Sequence, residues 1–199
     1  MGTADVVVVP TGVANLASVL AGFRRLGAAP EVALDAAASV LNAPRVMLPG
    51  VGAFGPAMAG LRANGVADAL RERIAADRPT MAICVGMQLL FETSDESPGA
   101  EGLGVVAGHV GRFGGGVRVP QFGWNEVRPE PGCRLLEPGH AYFANGYRAL
   151  AAPGCAVATA EHGGRFVAAL ERGALLACQF HPELSGAYGR RLLARWLEG

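Results

Sequence analysis

The chain has 199 residues, 51% hydrophobic and 17% charged, with 17 basic and 17 acidic side chains and a formal net charge of zero. Every basic residue is arginine and none falls in a run that would follow a phosphate backbone, which argues against a nucleic-acid partner. The early apolar run at residues 6–9 is too short for a membrane span or a signal segment and has no basic stretch before it, so a cytoplasmic protein without a membrane contact is expected.

Residues 6–9, four valines, read as a first buried strand. Asn15 is positioned to cap a helix carrying Leu16, Val19, Leu20, Phe23 and Leu26, which Gly27 ends in the left-handed conformation. Strands are expected at residues 31–34 and 45–48 with a short helix between, then helix over 61–76 broken near Asn64 and Gly65, a strand at 80–84 and a helix at 87–93. This alternation predicts a mostly parallel, doubly wound sheet covered on both faces. Beyond Asp95 short strands are expected at 105–110, 125–128, 142–147, 156–160, 166–170 and 175–180, and the turn Glu171-Arg172-Gly173 implies antiparallel pairing. A last helix spans 187–197. The expectation is one three-layer α/β domain over residues 1–199, with antiparallel strands added in the C-terminal half.

Two segments carry chemistry. In Ala82-Ile83-Cys84-Val85-Gly86 a buried strand turns into a helix at a cysteine. Free N–H groups at a helix start favour a thiolate, and a tight elbow needs the missing Cβ of Gly86. The elbow alone fits a buried strand cysteine as well as a nucleophile. The second segment, Phe180-His181-Pro182-Glu183, ends an apolar strand, and residues i and i+2 of an extended chain share a face, so His181 and Glu183 can meet one target. Cys84, His181 and Glu183 together supply nucleophile, base and orienting acid. His109, His140 and His162 have no acid at a useful spacing and read as surface or loop residues. Cys84, Cys133, Cys155 and Cys178 form no CxxC pair, so neither metal nor cofactor is expected. The Pro49 to Gly55 loop lacks the spacing of a phosphate cradle. It reads as a tight turn or as a donor of backbone N–H groups.

The cysteine elbow followed far downstream by Phe-His-Pro-Glu resembles the class I glutamine amidotransferases, a flavodoxin-like family. Pro49-Gly50-Val51-Gly52, Cys84-Val85-Gly86-Met87-Gln88 and Gly123-Trp124-Asn125 resemble in particular the glutaminase subunits of imidazole glycerol phosphate synthases. The resemblance implies hydrolysis of glutamine to glutamate and ammonia through a thioester on Cys84. It implies an oxyanion hole and glutamine site built from Gly50, Val51, Gly52, Val85, Gln88, Gly146 and Tyr147. It also implies a heterodimer with a cyclase subunit that uses the ammonia in histidine biosynthesis, met through Gln121, Trp124, Asn125 and Tyr142. The cyclase would make imidazole glycerol phosphate and aminoimidazole carboxamide ribotide. The chain departs from the family pattern at Ala82, at Gln121 where His is common, at Asn145 and Gly146, and at Leu184 where a basic residue is frequent. The alternatives are a stand-alone cysteine hydrolase and the glutaminase subunit of a different ammonia-using synthase.

Overall fold

The structure, a computed structural model, describes residues 5–10, 16–33, 36–50 and 52–199. The expected cap at Asn15 and the loop residue Val51 lie outside the described residues. The chain runs β1 (Val6–Val8), α1 (Leu16–Arg24), β2 (Pro30–Val32), α2 (Ala36–Asn42), β3 (Val46–Leu48), α3 (Phe54–Ala63), α4 (Val66–Ala75), β4 (Thr80–Ile83) and α5 (Val85–Gln88). It continues through β5 (Thr93–Ser94), β6 (His109–Arg112), β7 (Gln121–Pro129), β8 (Gly139–Asn145), β9 (Tyr147–Ala149), β10 (Ala156–Glu161), β11 (Arg165–Arg172) and β12 (Leu175–Cys178). A 3-10 turn, Pro182–Leu184, leads into α6 (Gly186–Glu198).

Nine strands form the main sheet in the order β2-β1-β3-β4-β12-β11-β10-β7-β8. The first five are parallel, and β11, β10, β7 and β8 extend the sheet antiparallel, as the change of pattern after Asp95 predicts. β1, β3, β4 and β12 are buried along their whole length, which explains their continuous apolar runs. A second sheet, β5-β6-β9, sits apart. Among the described residues no helix is long and apolar enough to cross a membrane.

Arg73 on α4 is buried, with no carboxylate partner among the described residues. Its guanidinium donates to the carbonyls of Val40, Ala43, Pro44 and Pro79 and to Thr80 Oγ1, at 2.8 to 3.2 Å. All five N–H groups of the side chain are thereby used, and α2, α4 and the start of β4 are tied together. Burial, then repulsion from Arg78, lowers its pKa to about 10.

Four expected elements need correction. Helix begins at Phe54, not at residue 61, because its open first turn is capped from far away in sequence. Phe54 N–H donates to Glu96 Oε2 at 2.7 Å and Gly55 N–H to Ser97 Oγ at 2.9 Å. The break near Asn64 and Gly65 is found, with Gly65 at φ 67°. The helix expected over 87–93 is instead the short α5, starting at Val85 and ending at Gln88. The carbonyls of Leu89, Leu90 and Phe91 accept from Leu103, Val106 and Gly104, so a packed loop takes the bonds that a longer helix would use. For the same reason the strand expected at 105–110 begins only at His109. The strand expected at 142–147 is divided at Gly146 into the ends of β8 and β9, which belong to different sheets.

Candidate active site

β4 and β12 are parallel neighbours with Ile83 opposite Cys178, so the next residues, Cys84 and Gln179, come side by side beyond the carboxyl ends of the strands. Cys84 N–H donates to Cys178 O at 2.7 Å, continuing the ladder by one bond. The chain then turns sharply, with Cys84 at φ 54° and ψ −114°, a region that costs a non-glycine residue roughly 1–3 kcal/mol. Cys178 points the other way, fully buried, and burial raises its thiol pKa.

The turn requires close backbone packing. A Cβ on Gly86 would lie 2.3 Å from Leu48 O, and one on Gly50 would lie 2.1 Å from Gly86 N. The loop after β3 therefore rests directly on the first turn of α5. Val85 and Gly86 open that helix, so their N–H groups have no acceptor inside it. Gly52, at φ 102°, lies on the exposed side of the loop.

His181 is anchored by backbone bonds: its N–H donates to Tyr142 O at 2.9 Å, and Ser185 Oγ donates to His181 O at 2.6 Å. Its Nδ1 lies 2.8 Å from Glu183 Oε1, with the two side chains only 8% and 6% exposed. A carboxylate only accepts, so Nδ1 carries the hydrogen and Nε2 is left for Cys84. Burial alone would depress the His181 pKa. Its contacts with Cys84 and Glu183, and their charges, outweigh burial and raise it from 6.5 to about 10.

Beyond the sulfur lies a buried chain of amides. Gln179 Nε2 is 3.8 Å from Cys84 Sγ, Gln88 Nε2 donates to Gln179 Oε1 at 2.9 Å and to Tyr147 O at 3.2 Å, and Asn145 Nδ2 also donates to Tyr147 O. Thus Cys84, His181, Glu183, Gly50, Val85, Gln88 and Tyr147 gather in one place. Gly146 links Asn145 to Tyr147 and accepts from Phe113 N–H.

The expected partner-facing residues divide. Trp124 is 58% exposed and meets the edge of Tyr142 with ring centroids 6.3 Å apart. Asn125 donates to Glu161 O. Gln121 is not on that face: it is 5% exposed and sits opposite Asn145 in the β7–β8 ladder, so alternation turns it inward while Trp124 turns out. The two departures Gln121 and Asn145 are therefore neighbours. The reading of His109 also changes, since its Nε2 lies 2.9 Å from Asp95 Oδ1 and its Nδ1 2.8 Å from Thr93 Oγ1, an exposed cluster clamping β5 to β6.

Sequence reasoning passed over Gln179, although it stands only two residues before His181. It passed over Phe122, exposed two residues before Trp124. Nothing local signalled Glu96 and Ser97, which hold the far end of the Gly50–Gly52 loop. Among the described residues no group of three or more His, Cys, Asp or Glu is arranged to hold a metal ion.

Comparison with known proteins shows the family. A family model described as glutamine amidotransferase class-I matches residues 8–198. The imidazole glycerol phosphate synthase subunit HisH of Symbiobacterium thermophilum is 41% identical over 198 residues, covering 97% of this chain and 93% of that protein. The chloroplastic imidazole glycerol phosphate synthase hisHF of Arabidopsis thaliana is 40% identical over 94% of this chain, which spans only 33% of that longer protein. A crystal structure of a glutamine amidotransferase shares the fold at a TM-score of 0.78 and 22% identity, covering 98% of this chain and 97% of that one.

Proposed function

The chain belongs to the class I glutamine amidotransferases and, within them, to the family of HisH subunits of imidazole glycerol phosphate synthase; from that premise we propose that Cys84, His181 and Glu183 hydrolyse glutamine and supply its ammonia to a cyclase. The observation that carries this reading is the His181–Glu183 pair held at 2.8 Å beside a cysteine on a strained elbow.

Cys84 Sγ attacks the side-chain carboxamide carbon of glutamine, with the proton that the sulfur gives up held on His181 Nε2. The anion that forms on the carboxamide oxygen is met by the Val85 N–H at the start of α5 and by backbone of the loop that Gly50 packs against it. When the tetrahedral intermediate collapses, His181 returns the proton to the leaving nitrogen, so ammonia departs and a thioester remains. Water then attacks the thioester carbon, losing a proton to His181, and glutamate leaves as the Cys84 sulfur is expelled. Glu183 stabilises the imidazolium throughout and fixes its tautomer. A histidine whose pKa is raised to about 10 suits the storage half of this cycle, since it keeps the proton until the leaving nitrogen takes it.

The Symbiobacterium relative is named as a subunit of its synthase and the Arabidopsis relative is a single protein about three times the length that this chain matches, which supports a cyclase part completing the synthase here. The exposed Phe122, Trp124 and Leu184 offer an apolar surface for it beside the strand ends. With Leu184 in place of a basic residue, that contact is apolar rather than ionic. The cyclase would use the ammonia to form imidazole glycerol phosphate and aminoimidazole carboxamide ribotide in the cytoplasm.

Glutamate release from glutamine by the purified chain, with and without the cyclase and its nucleotide, tests the proposal. The expected result is weak release alone, strong stimulation by the loaded cyclase, and none from a folded Cys84→Ala variant. Wild-type release by Cys84→Ala would refute the assignment.

A further inference from the structure

Gln179 stands one residue past β12, at the rung beside Cys84, and is 0% exposed. Its carboxamide has only one orientation open to it. Tyr147 O is an acceptor, so the end of Gln88 that faces it at 3.2 Å is the NH2 group, and that same nitrogen lies 2.9 Å from Gln179. The atom of Gln179 that meets it must then be the oxygen, which turns the Gln179 NH2 toward Cys84 Sγ at 3.8 Å. Gln88 thus sets the direction in which Gln179 donates.

We propose that Gln179 is a further catalytic residue of the glutaminase, donating an N–H to the Cys84 sulfur. This rests on the reading of Cys84 as the nucleophile. An N–H to an anionic sulfur is stronger than one to a neutral thiol, so the contact favours the thiolate over the thiol before attack. It also favours the step that expels the thiolate from the tetrahedral intermediate formed when water attacks the thioester. A carboxamide suits this place because it neither adds a charge nor accepts the proton that His181 must carry. The neighbouring rung also fixes where the sulfur points, since Cys84 N–H is already bonded to Cys178 O.

The test is the rate at which iodoacetamide alkylates Cys84, read by mass spectrometry on the Cys84 peptide from pH 5 to 9, in wild type, Gln179→Leu and Gln179→Glu. Cys133, whose pKa burial raises to about 11, and Cys155, also raised by burial, serve as internal slow controls. Losing one charge-assisted bond should slow alkylation of Gln179→Leu at pH 7 about tenfold and move its profile to higher pH. Gln179→Glu, which puts a carboxylate in the same shape, should slow it further. With glutamine as substrate kcat should fall while KM stays within about twofold, because Gln179 has no surface open to substrate. Should Gln179→Leu fail to fold, Gln179→Met keeps the length without the donor and takes its place.

Alkylation at the wild-type rate across the pH range, or a lowered melting temperature with an unmoved profile, would overturn the proposal and leave the triad standing. Glutamine hydrolysis by Cys84→Ala would instead remove the reading on which it rests.

Discussion

Arg73 and His181 are both buried cations, and both have a pKa of about 10, but they reach it from opposite directions. Arg73 comes down because burial strips its water and only carbonyl dipoles, one hydroxyl and a repelling Arg78 replace it. His181 goes up, against burial, because two of its neighbours, Cys84 and Glu183, are groups that become anions. The second difference is saturation. Arg73 has all five donors occupied by fixed acceptors, so nothing is left for a reaction. At the other site Glu183 Oε2 is buried without a partner among the described residues, and His181 has one ring nitrogen facing a thiol rather than a fixed acceptor. A polar group that holds the fold is closed, and one that does chemistry keeps a position free for the proton that moves.

The contrast breaks most sharply in paired variants. His181→Ala should lower kcat for glutamine roughly a thousandfold by removing the base, while thermal unfolding stays close to wild type. Arg73→Met should do the reverse, costing about 3 kcal/mol in denaturant unfolding because buried carbonyls lose their donors, with kcat of the folded fraction unchanged. A loss of turnover in Arg73→Met at full stability would end the distinction.

A smaller effect is expected for Glu183→Gln. The amide oxygen still accepts from Nδ1 and keeps the tautomer, but the imidazolium loses its anion, so steady-state kcat should fall about ten- to a hundredfold, less than in His181→Ala. The reverse ranking would exchange the roles assigned to the two residues.

The smallest effect is a slope in stability. Folded His181 keeps a proton that the unfolded chain releases above about pH 6.5, so its stabilisation is complete below that pH and is lost as pH rises toward about 10. Arg73 works in the opposite sense and only above about 10, where its folded form begins to release a proton. Denaturant unfolding between pH 7 and 9.5 should therefore show stability declining as pH rises, a decline absent in His181→Ala. Equal slopes in the two proteins would place the proton elsewhere.

How much of this was legible beforehand depends on distance along the chain. Val6 to Val8, Thr80 to Ile83 and Leu175 to Cys178 declare themselves as buried strands because their apolar runs are local. His181 and Glu183 do pair, but across the 3-10 turn Pro182–Leu184 rather than along the extended strand that the sequence suggested, while Cys84 with Gly86 marks an elbow by residue type alone. The start of α3 was hidden because Glu96 and Ser97 cap it from another loop. The end of α5 was hidden because the carbonyls of Leu89, Leu90 and Phe91 are claimed by residues 103–106. Gln121 was misread as a surface residue because only the β7–β8 register decides which face it takes.

The residue types of the site, the closeness of His181 and Glu183 along the chain, and the alternation of strand and helix were determined by sequence alone, since each is a local pattern of a few residues. What tertiary structure decided was the placing of β12 beside β4 in parallel, which brings residues almost a hundred positions apart to adjacent rungs. From that one strand pairing follow the meeting of Cys84 with His181, the donor that Gln179 turns to the sulfur, and the upward shift of the His181 pKa. All of these depend on which groups surround a side chain, and a linear pattern does not carry that information.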